Sequence, residues 1–334
     1  MFNTGPISGD SGLDPLILLL FALVVEACIG DPTRFFKIVP HPVVVVGRAV
    51  DWAEPRLNRD KRSTMNRAVR GALLVLALIL SAFATGLAIG RLTLDLPFGW
   101  IVEFLLLITM LAQRSLFIHV RNVAKALDAG GLDDAKREVA KIVGRDPDQL
   151  DKHGVCRAAI ESLAENFSDG VVAPVFWYVL FGMPGLLVYK TVNTLDSMIG
   201  HRSERFHAFG MTAARLDDIL NLFPARISGL FIVMAATVAP TANPWRAFKI
   251  MTRDARKHRS PNAGWPEGAM AGALGLALAG PRRYRNQATR DPWLGDGRAR
   301  AASRDIDRAL YVYVAACLIN AIWVGALSLI RPIP

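Results

Sequence analysis

Residues 71–90 read GALLVLALILSAFATGLAIG, and residues 309–330 read ALYVYVAACLINAIWVGALSLI. Neither stretch contains a charged side chain, and each has about the 20 residues that a helix needs to cross the hydrocarbon core of a bilayer. The whole chain of 334 residues is 52% hydrophobic and 20% charged. These blocks predict an all-α, polytopic helical membrane protein, and they disfavour a soluble enzyme or a secreted disulfide scaffold.

The charge of the chain is unevenly distributed. It carries 39 Lys and Arg against 29 Asp and Glu, a formal net charge of +10. Residues 31–70 contain nine basic and four acidic side chains, whereas residues 91–98 contain only Arg91 and Asp95. Cytoplasmic loops are enriched in Lys and Arg. We therefore predict a multi-pass protein of the cell (inner) membrane with residues 31–70 in the cytoplasm, the lipid bilayer as its surroundings and no nucleic-acid partner.

The domain organisation is predicted as one integral membrane domain over residues 1–334. Residues 121–170 are expected to form a cytoplasmic helical insertion within it, because apolar side chains recur there at helical spacing and Gly130-Gly131 marks a turn. Two apolar stretches, 171–189 and 227–240, are interrupted or short. Each can span the membrane or re-enter it, and broken segments of this kind often build polar sites.

Polar side chains concentrate beside these apolar stretches in residues 165–170, 190–197, 215–221 and 254–267. Spacings of three or four residues would place pairs on one helix face; the pairs are Glu165 with Asp169, Asn193 with Asp196, Asp217 with Asn221, and Asp254 with His258. A single pair of this kind is more often a solvated helix end. Four clusters within about a hundred residues favour a functional site, because ionisable groups near membrane depth are costly.

The chemistry of these side chains suggests three roles. Carboxylate and amide oxygens suit Mg²⁺, and the expected metal ligands are Asp169, Asp217, Asp218 and Asn221. The expected catalytic residues are Glu165, Asp169, Lys190, Asp196 and His258. Substrate binding is expected from Asn166, Asn193, Arg215, Arg226, Asn262 and Glu267. Because cations beside carboxylates are the usual means of handling a phosphorylated substrate, we predict one such site, facing the cytoplasm.

Several short motifs carry a family resemblance. They include Gly30-Asp31-Pro32, Pro40-His41-Pro42-Val43, Arg114-Ser115-Leu116, Ile142-Val143-Gly144-Arg145-Asp146, Ala164-Glu165-Asn166, Asn193-Thr194-Leu195-Asp196-Ser197-Met198, Asp217-Asp218 and Ser260-Pro261-Asn262. With these motifs the chain resembles the adenosylcobinamide-phosphate synthase family of cobalamin biosynthesis, the CbiB/CobD type, nearly from end to end. His201 and Phe206 depart from the tyrosines of that family, which leaves the amino-alcohol substrate open.

The resemblance implies an ATP-dependent amide ligation. A propionate carboxylate of the corrinoid adenosylcobyric acid would be joined to aminopropanol, usually as its O-phosphate, with Mg²⁺ as cofactor and ATP as cosubstrate. Contacts with other enzymes of cobalamin assembly are a further expectation. Two other interpretations remain: a membrane prenyltransferase that binds Mg-diphosphate, and a membrane transporter, although the internal repeat typical of transporters is not evident in the sequence.

Overall fold

The computed structural model describes residues 14–30, 41–144, 147–201, 203–284, 287–289 and 291–330, with the backbone alone described in 282–284 and 287–289. Asp31, Pro32, Pro40, Arg145 and Asp146 of the sequence motifs lie outside the described residues.

Helices account for most of the described chain. They are α1 Pro15–Ile29, α2 Pro42–Leu57, α3 Thr64–Asp95, α4 Gly99–Met110, α5 Gln113–Asp128, α6 Leu132–Ala140, α7 Lys152–Phe167, α8 Ala173–Ile199, α9 Met211–Leu220, α10 Leu222–Ala235, α11 Pro244–Asp254, α12 Gly264–Leu274 and α13 Ser303–Ile330. Four short strands lie between α12 and α13, and the sequence did not predict them. They are β1 Leu278–Ala279, β2 Arg282–Tyr284, β3 Gln287–Thr289 and β4 Trp293–Leu294, with β1 antiparallel to β4 and β2 antiparallel to β3.

Four helical stretches of the described chain are long and apolar enough to cross a membrane: Thr64–Asp95, Gly99–Asp128, Lys152–Ile199 and Ser303–Ile330. The bent pair α9 and α10 would make a fifth if it acts as one span. In α3 only 11% of the most apolar window is buried, and large apolar side chains such as Leu73, Leu80 and Phe83 are exposed. Such a surface suits lipid rather than water. The prediction of an all-α polytopic membrane protein is confirmed.

The predicted breaks are also present. Residues Ser168–Val172 form a π-helical turn between α7 and α8. Within α8, Gly182 has φ 62° and ψ −150°, and Pro184 follows inside the helix. Glycine tolerates a positive φ, and proline interrupts helical hydrogen bonding, so the 182–185 sequence explains the second break. Spanning and re-entry remain the two predictions for residues 171–189 and 227–240.

The chain divides into two compact units. The first comprises Met1–Leu111, Ala173–Leu220 and Val324–Pro334, and the second comprises Ala112–Val172 and Asn221–Trp323. In the first unit α3 packs closely on α8. A Cβ added at Gly86 would lie only 2.6 Å from the Pro184 nitrogen, so this close approach needs glycine. Tyr178 of α8 donates a buried hydrogen bond of 2.7 Å to Glu103 of α4.

A polar network in the first unit joins α2 to the segment before α9. Glu54 accepts hydrogen bonds from Arg205 Nε at 2.9 Å and Nη2 at 2.7 Å, and from Asn58 Nδ2 at 2.8 Å. Burial by itself would raise the pKa of Glu54, but the Arg205 and Asn58 hydrogen bonds and nearby positive charges hold that pKa below its ordinary value. The carboxylate is therefore a structural anchor for residues 203–210.

The core of the second unit forms around α7. Its side chains Val155, Ile160 and Leu163 are fully buried, and Phe167 packs edge-on against Tyr313 of α13, with ring centres 5.7 Å apart. Helices α5 and α6 form a hairpin at Gly130-Gly131, where Gly130 has φ 86°. The predicted turn is therefore present. The assignment of residues 121–170 to a cytoplasmic insertion stays a prediction.

Candidate active site

The predicted site residues fall into both units. In the first unit, Lys190, Asn193 and Asp196 lie on α8, and Arg215, Asp217 and Asp218 lie on α9. In the second, Glu165 and Asn166 end α7, Asp169 lies in the π-helical turn, Asn221 precedes α10, Arg226 lies on α10, His258 and Asn262 lie between α11 and α12, and Glu267 lies on α12. The expectation that all of them share one cavity stays a prediction.

The α8 and α9 residues form one polar group in the first unit. Asn193 Nδ2 donates to Asp217 Oδ1 at 3.3 Å, and Arg215 Nη1 lies 4.0 Å from Asp218 Oδ2. Lys190 lies three residues before Asn193 and is half-buried, as are Asn193 and Asp217. This arrangement brings an ammonium group, an amide and carboxylates onto adjoining helices, and the roles predicted for these residues stay predictions.

Asp196 occupies a special position at the end of α8. Its carboxylate lies where a side chain at Gly200 would have to go, since an added Cβ would meet Asp196 Cγ at 2.8 Å and Asp196 O at 2.7 Å. The Gly200 N–H donates to that same carbonyl oxygen at 2.7 Å. Gly200 is therefore required for the observed placement of the Asp196 side chain.

A second group forms around Arg226 in the second unit. Arg226 Nη1 donates to Asn262 Oδ1 at 2.9 Å and to the Leu222 carbonyl at 2.8 Å. Its guanidinium lies 4.6 Å from the ring centre of Trp265, close enough for a cation–π contact. Asn262 is buried. Two residues predicted from distant sequence positions, Arg226 and Asn262, are thus brought into direct contact.

His258 and Glu267 lie beside each other in the same unit. His258 Nε2 is 3.8 Å from Glu267 Oε1, and its Nδ1 accepts from the Ser260 N–H at 3.1 Å. An Nδ1 that accepts leaves the proton of neutral histidine on Nε2, facing the buried Glu267 carboxylate. This geometry orients the ring, and the catalytic role of His258 stays a prediction.

The predicted pairing of Asp254 with His258 on one helix face is wrong. Helix α11 ends at Asp254, and a 3₁₀ turn over Ala255–Lys257 follows. Asp254 is instead buried among Arg253 Nη2 at 2.6 Å, Lys257 Nζ at 2.6 Å and the Gly295 N–H at 2.9 Å. Burial alone would raise the pKa of Asp254, but these hydrogen bonds from Arg253, Lys257 and Gly295 hold it well below its ordinary value.

Two other predicted helix faces are interrupted. Helix α7 ends at Phe167, so Asp169 follows Glu165 through a π-helical turn rather than four residues along an α-helix. Helix α9 ends at Leu220, and Asn221 begins the next helix instead of extending the face of Asp217. The sequence analysis assumed that each of these pairs lies on one uninterrupted helix, and that assumption was wrong for both.

A cavity of about 370 Å³ lies within the second unit. It is lined from three segments, namely α5, the residues after α6, and the end of α7 with the π-helical turn, by Ala112, Ser115, Leu116, His119, Lys141, Ile142, Val143, Gly144, Asn166 and Gly170. Asn166 was a predicted site residue. Ser115, His119 and Lys141 were not, although motifs 114–116 and 142–146 pointed to two of the lining segments.

The chain is similar to known proteins over most of its length. Residues 19–313 match the CobD/Cbib protein family. The chain belongs to the CobD/Cbib family. "Cobalamin biosynthesis protein CobD" of Sinorhizobium sp. is 48% identical over 318 residues, covering 94% of this chain and 98% of the relative. Proteins of the same name from Brucella anthropi and Rhodobacter capsulatus are 46% and 43% identical, each covering 94% of this chain and 97% of the relative. No solved structure matches.

Membership of the CobD/Cbib family gives the site its context. The chain is a multi-pass membrane protein of cobalamin biosynthesis. In the described part of this family member, no three His, Cys, Asp or Glu side chains are grouped so that they could hold a metal ion. The carboxylate of Asp217 is nevertheless a kind of ligand that suits Mg²⁺, which takes one or two carboxylates and completes its shell with water and substrate phosphates.

Proposed function

We propose that the protein joins aminopropanol O-phosphate to a propionate carboxylate of adenosylcobyric acid in an ATP-dependent ligation, giving adenosylcobinamide phosphate. The observation that carries the proposal is the family match over residues 19–313, because it includes every predicted site residue. The resemblance of the motifs to adenosylcobinamide-phosphate synthases supports the specific reaction. The polar groups of α8, α9 and α10 supply the kinds of side chain that it requires.

The proposed chemistry has two steps. A propionate oxygen attacks the γ-phosphorus of ATP, so that ADP leaves and an acyl phosphate forms. The amine then attacks the acyl carbon, inorganic phosphate leaves, and a base accepts the proton of the amine. Glu165, Asp169 and His258 are the candidates for the base. Asp196, held over Gly200, is a further catalytic candidate.

The cations of the site would bind phosphoryl oxygens. Arg226 is positioned by Asn262 and stacked on Trp265, which leaves the other edge of its guanidinium for an anion. Lys190 and Arg215 would do the same on α8 and α9, while Asn166, Asn193 and Glu267 would orient polar groups of the substrates. Fixed cations stabilise charge that develops during phosphoryl transfer.

In our proposal Mg²⁺ would be held by Asp217 and Asp218 of the first unit together with phosphates of ATP, and Asp169 and Asn221 of the second unit are kept as further proposed ligands. When bound, it would neutralise charge on the transferring phosphoryl group. Asp217 presents a carboxylate on α9, to which the amide nitrogen of Asn193 donates. A site with so few carboxylates fits a cation that arrives with its nucleotide rather than one held by protein alone.

We further propose that the site faces the cytoplasm, where ATP is available, in the inner membrane, and that the protein contacts other enzymes of cobalamin assembly. The positive residues of 31–70 support this orientation.

The test uses the full-length protein purified in detergent. It is mixed with adenosylcobyric acid, Mg-ATP and aminopropanol phosphate, and the corrinoid is analysed by mass spectrometry. We expect one amide formed for each ADP and each phosphate released. Unchanged corrinoid under these conditions, with the protein intact, would contradict the ligation. Corrinoid movement seen only in sealed vesicles would favour transport.

A further inference from the structure

The cavity in the second unit has a composition suited to a small charged ligand. Its volume of about 370 Å³ lies near the lower end of the range of roughly 300–1,000 Å³ for ligand pockets. A corrinoid macrocycle is too large to be enclosed there. A ligand of a few heavy atoms is the better match.

Three side chains on the cavity wall can donate hydrogen bonds. Lys141 has three N–H donors, and one of them is used by Glu138 Oε1 at 2.7 Å. His119 Nδ1 is buried and has no hydrogen-bond partner within the described chain. The Ser115 hydroxyl makes a long contact of 3.4 Å with the Ala112 carbonyl. Lys141 is exposed and its charge is paired with the Glu138 carboxylate, but its two remaining N–H donors, together with His119 and Ser115, suit an anion with several acceptor oxygens.

An acceptor also lines the cavity. Asn166 Nδ2 donates to the Ser162 carbonyl at 2.9 Å and to Ser162 Oγ at 3.0 Å. Ser162 Oγ in turn donates to the Ile142 carbonyl, which fixes the direction of the chain of hydrogen bonds. With Nδ2 turned toward Ser162, the Asn166 Oδ1 is the atom of that amide that can accept. Among the described lining residues none carries a carboxylate.

We propose that this cavity is the binding subsite for the phosphorylated amino alcohol. The phosphate contacts Lys141, His119 and Ser115, and the amine lies toward Asn166 Oδ1. The match is chemical, because a small molecule with an anionic phosphate at one end and an amine donor at the other needs both donors and an acceptor within one cavity, and this cavity is lined by both. The identity of this ligand rests on the proposed function, whereas the recognition of its phosphate and amine rests on the cavity itself.

ATP shares the phosphate chemistry, so the test separates the two sources. Binding of aminopropanol phosphate, aminopropanol and ATP to the full-length protein in detergent is measured by isothermal titration calorimetry. We expect aminopropanol phosphate to bind at least about tenfold more tightly than aminopropanol, as a lost charge-assisted hydrogen bond predicts. Lys141→Met should weaken aminopropanol phosphate about 10- to 100-fold and leave ATP unchanged.

Lys125→Met is the matched control, because Lys125 is an exposed lysine of α5 that does not line the cavity. It should bind every ligand as the native protein does. His119→Asn, a second cavity variant, should also weaken the phosphate ester. If Lys141→Met and Lys125→Met bind aminopropanol phosphate equally well, or if Lys141→Met weakens ATP instead, the subsite is overturned.

The failure of this subsite can be told apart from the failure of the proposed function. Lys141-dependent binding of aminopropanol phosphate without any amide product would support the subsite and reject the ligation. Amide formation whose KM for aminopropanol phosphate is the same in Lys141→Met as in the native protein would support the ligation and reject the subsite.

Discussion

Arg226 Nη1 lies 2.9 Å from Oδ1 of Asn262, and the same guanidinium stacks 4.6 Å from the centre of the Trp265 ring. One planar group thus makes an in-plane hydrogen bond and a face contact at once. A lysine ammonium cannot reproduce both, because it is a compact point charge on a flexible chain. These two contacts hold the guanidinium plane of Arg226 in one orientation, which a positive charge without that planar shape would not have.

Arg226→Lys should accordingly lower kcat/KM of the ligation by about tenfold or more, although the positive charge is kept. The loss follows from misplacement of the cation relative to the phosphoryl group. Steady-state kinetics on detergent-purified protein checks it. Arg304→Lys, at an exposed arginine in the first turn of α13, is the control and should leave kcat/KM unchanged. Equal activity of both variants would assign Arg226 to packing alone.

Gly200→Ala tests the placement of Asp196. A methyl group at Gly200 would meet the Asp196 carboxylate and carbonyl, so the carboxylate must move. We expect a loss of ligation comparable to that of Asp196→Asn, with the protein still inserted. Activity and the amount of membrane-extracted protein are measured together.

Gly90→Ala is the matched control for that substitution, since a Cβ at Gly90 meets no heavy atom within 4 Å. It should keep full activity and gain up to about 1 kcal/mol of helix stability. Gly200→Ala with native turnover would show that the position of the Asp196 carboxylate is not used in the reaction.

The membrane fold followed from sequence because its signal is local. Residues 71–90 and 309–330 each supply an uncharged run of sufficient length, and both lie within helices of the structure, Thr64–Asp95 and Ser303–Ile330. The break near Gly182 was equally local, since glycine and proline act on their own backbone. The short β1–β4 pair was not predicted because strands of two residues have no periodic sequence pattern.

The site was only partly predictable. Polar residue types beside apolar stretches identified Arg226 and Asn262, but their contact depends on how α10 meets the loop before α12. The cavity was not predicted because Ser115, Lys141 and Asn166 come from three separate segments. No spacing rule connects such positions. The pairing of Asp254 with His258 failed because α11 ends at Asp254, and the contact of Asp254 with Gly295, 41 residues away, has no local signal in the sequence.

Asp254→Asn should destabilise the second unit. The buried carboxylate satisfies Arg253, Lys257 and the Gly295 N–H, and its neutral replacement loses charge-assisted hydrogen bonds worth about 2–3 kcal/mol in total. We expect the midpoint of thermal unfolding to fall by several degrees at pH 7. Asp134→Asn is the control: Asp134 forms an exposed ion pair with Arg137, and such pairs contribute little.

The sign of the pH dependence follows from the lowered pKa of Asp254. A carboxyl group whose pKa is lower in the folded state stabilises the fold above its unfolded pKa of about 4, and that contribution is lost as the pH falls further toward the folded value. The difference in unfolding midpoint between the native protein and Asp254→Asn should therefore be constant from pH 7 to about 5 and shrink below about 4. A difference that grows on acidification would contradict this account.

Asp217→Asn tests the proposed metal site. The substitution keeps a coordinating oxygen but removes one negative charge, so it should lower the affinity for Mg²⁺ without abolishing binding. We expect activity about tenfold lower at limiting Mg²⁺ and partial recovery when Mg²⁺ is raised. Asp133→Asn, at an exposed carboxylate in the first turn of α6, should show the native dependence on Mg²⁺.

The contact between Asn193 and Asp217 permits a sharper version of this experiment. Because Asn193 Nδ2 lies 3.3 Å from Asp217 Oδ1, the double variant Asn193→Asp with Asp217→Asn returns one carboxylate and one amide to the same two positions. If the pair serves as a source of ligand oxygens, the double variant should need less Mg²⁺ than Asp217→Asn alone. A loss of activity in Asp217→Asn that neither added Mg²⁺ nor the exchanged pair restores would remove Asp217 from the metal site and leave it as a residue that positions α9 against α8.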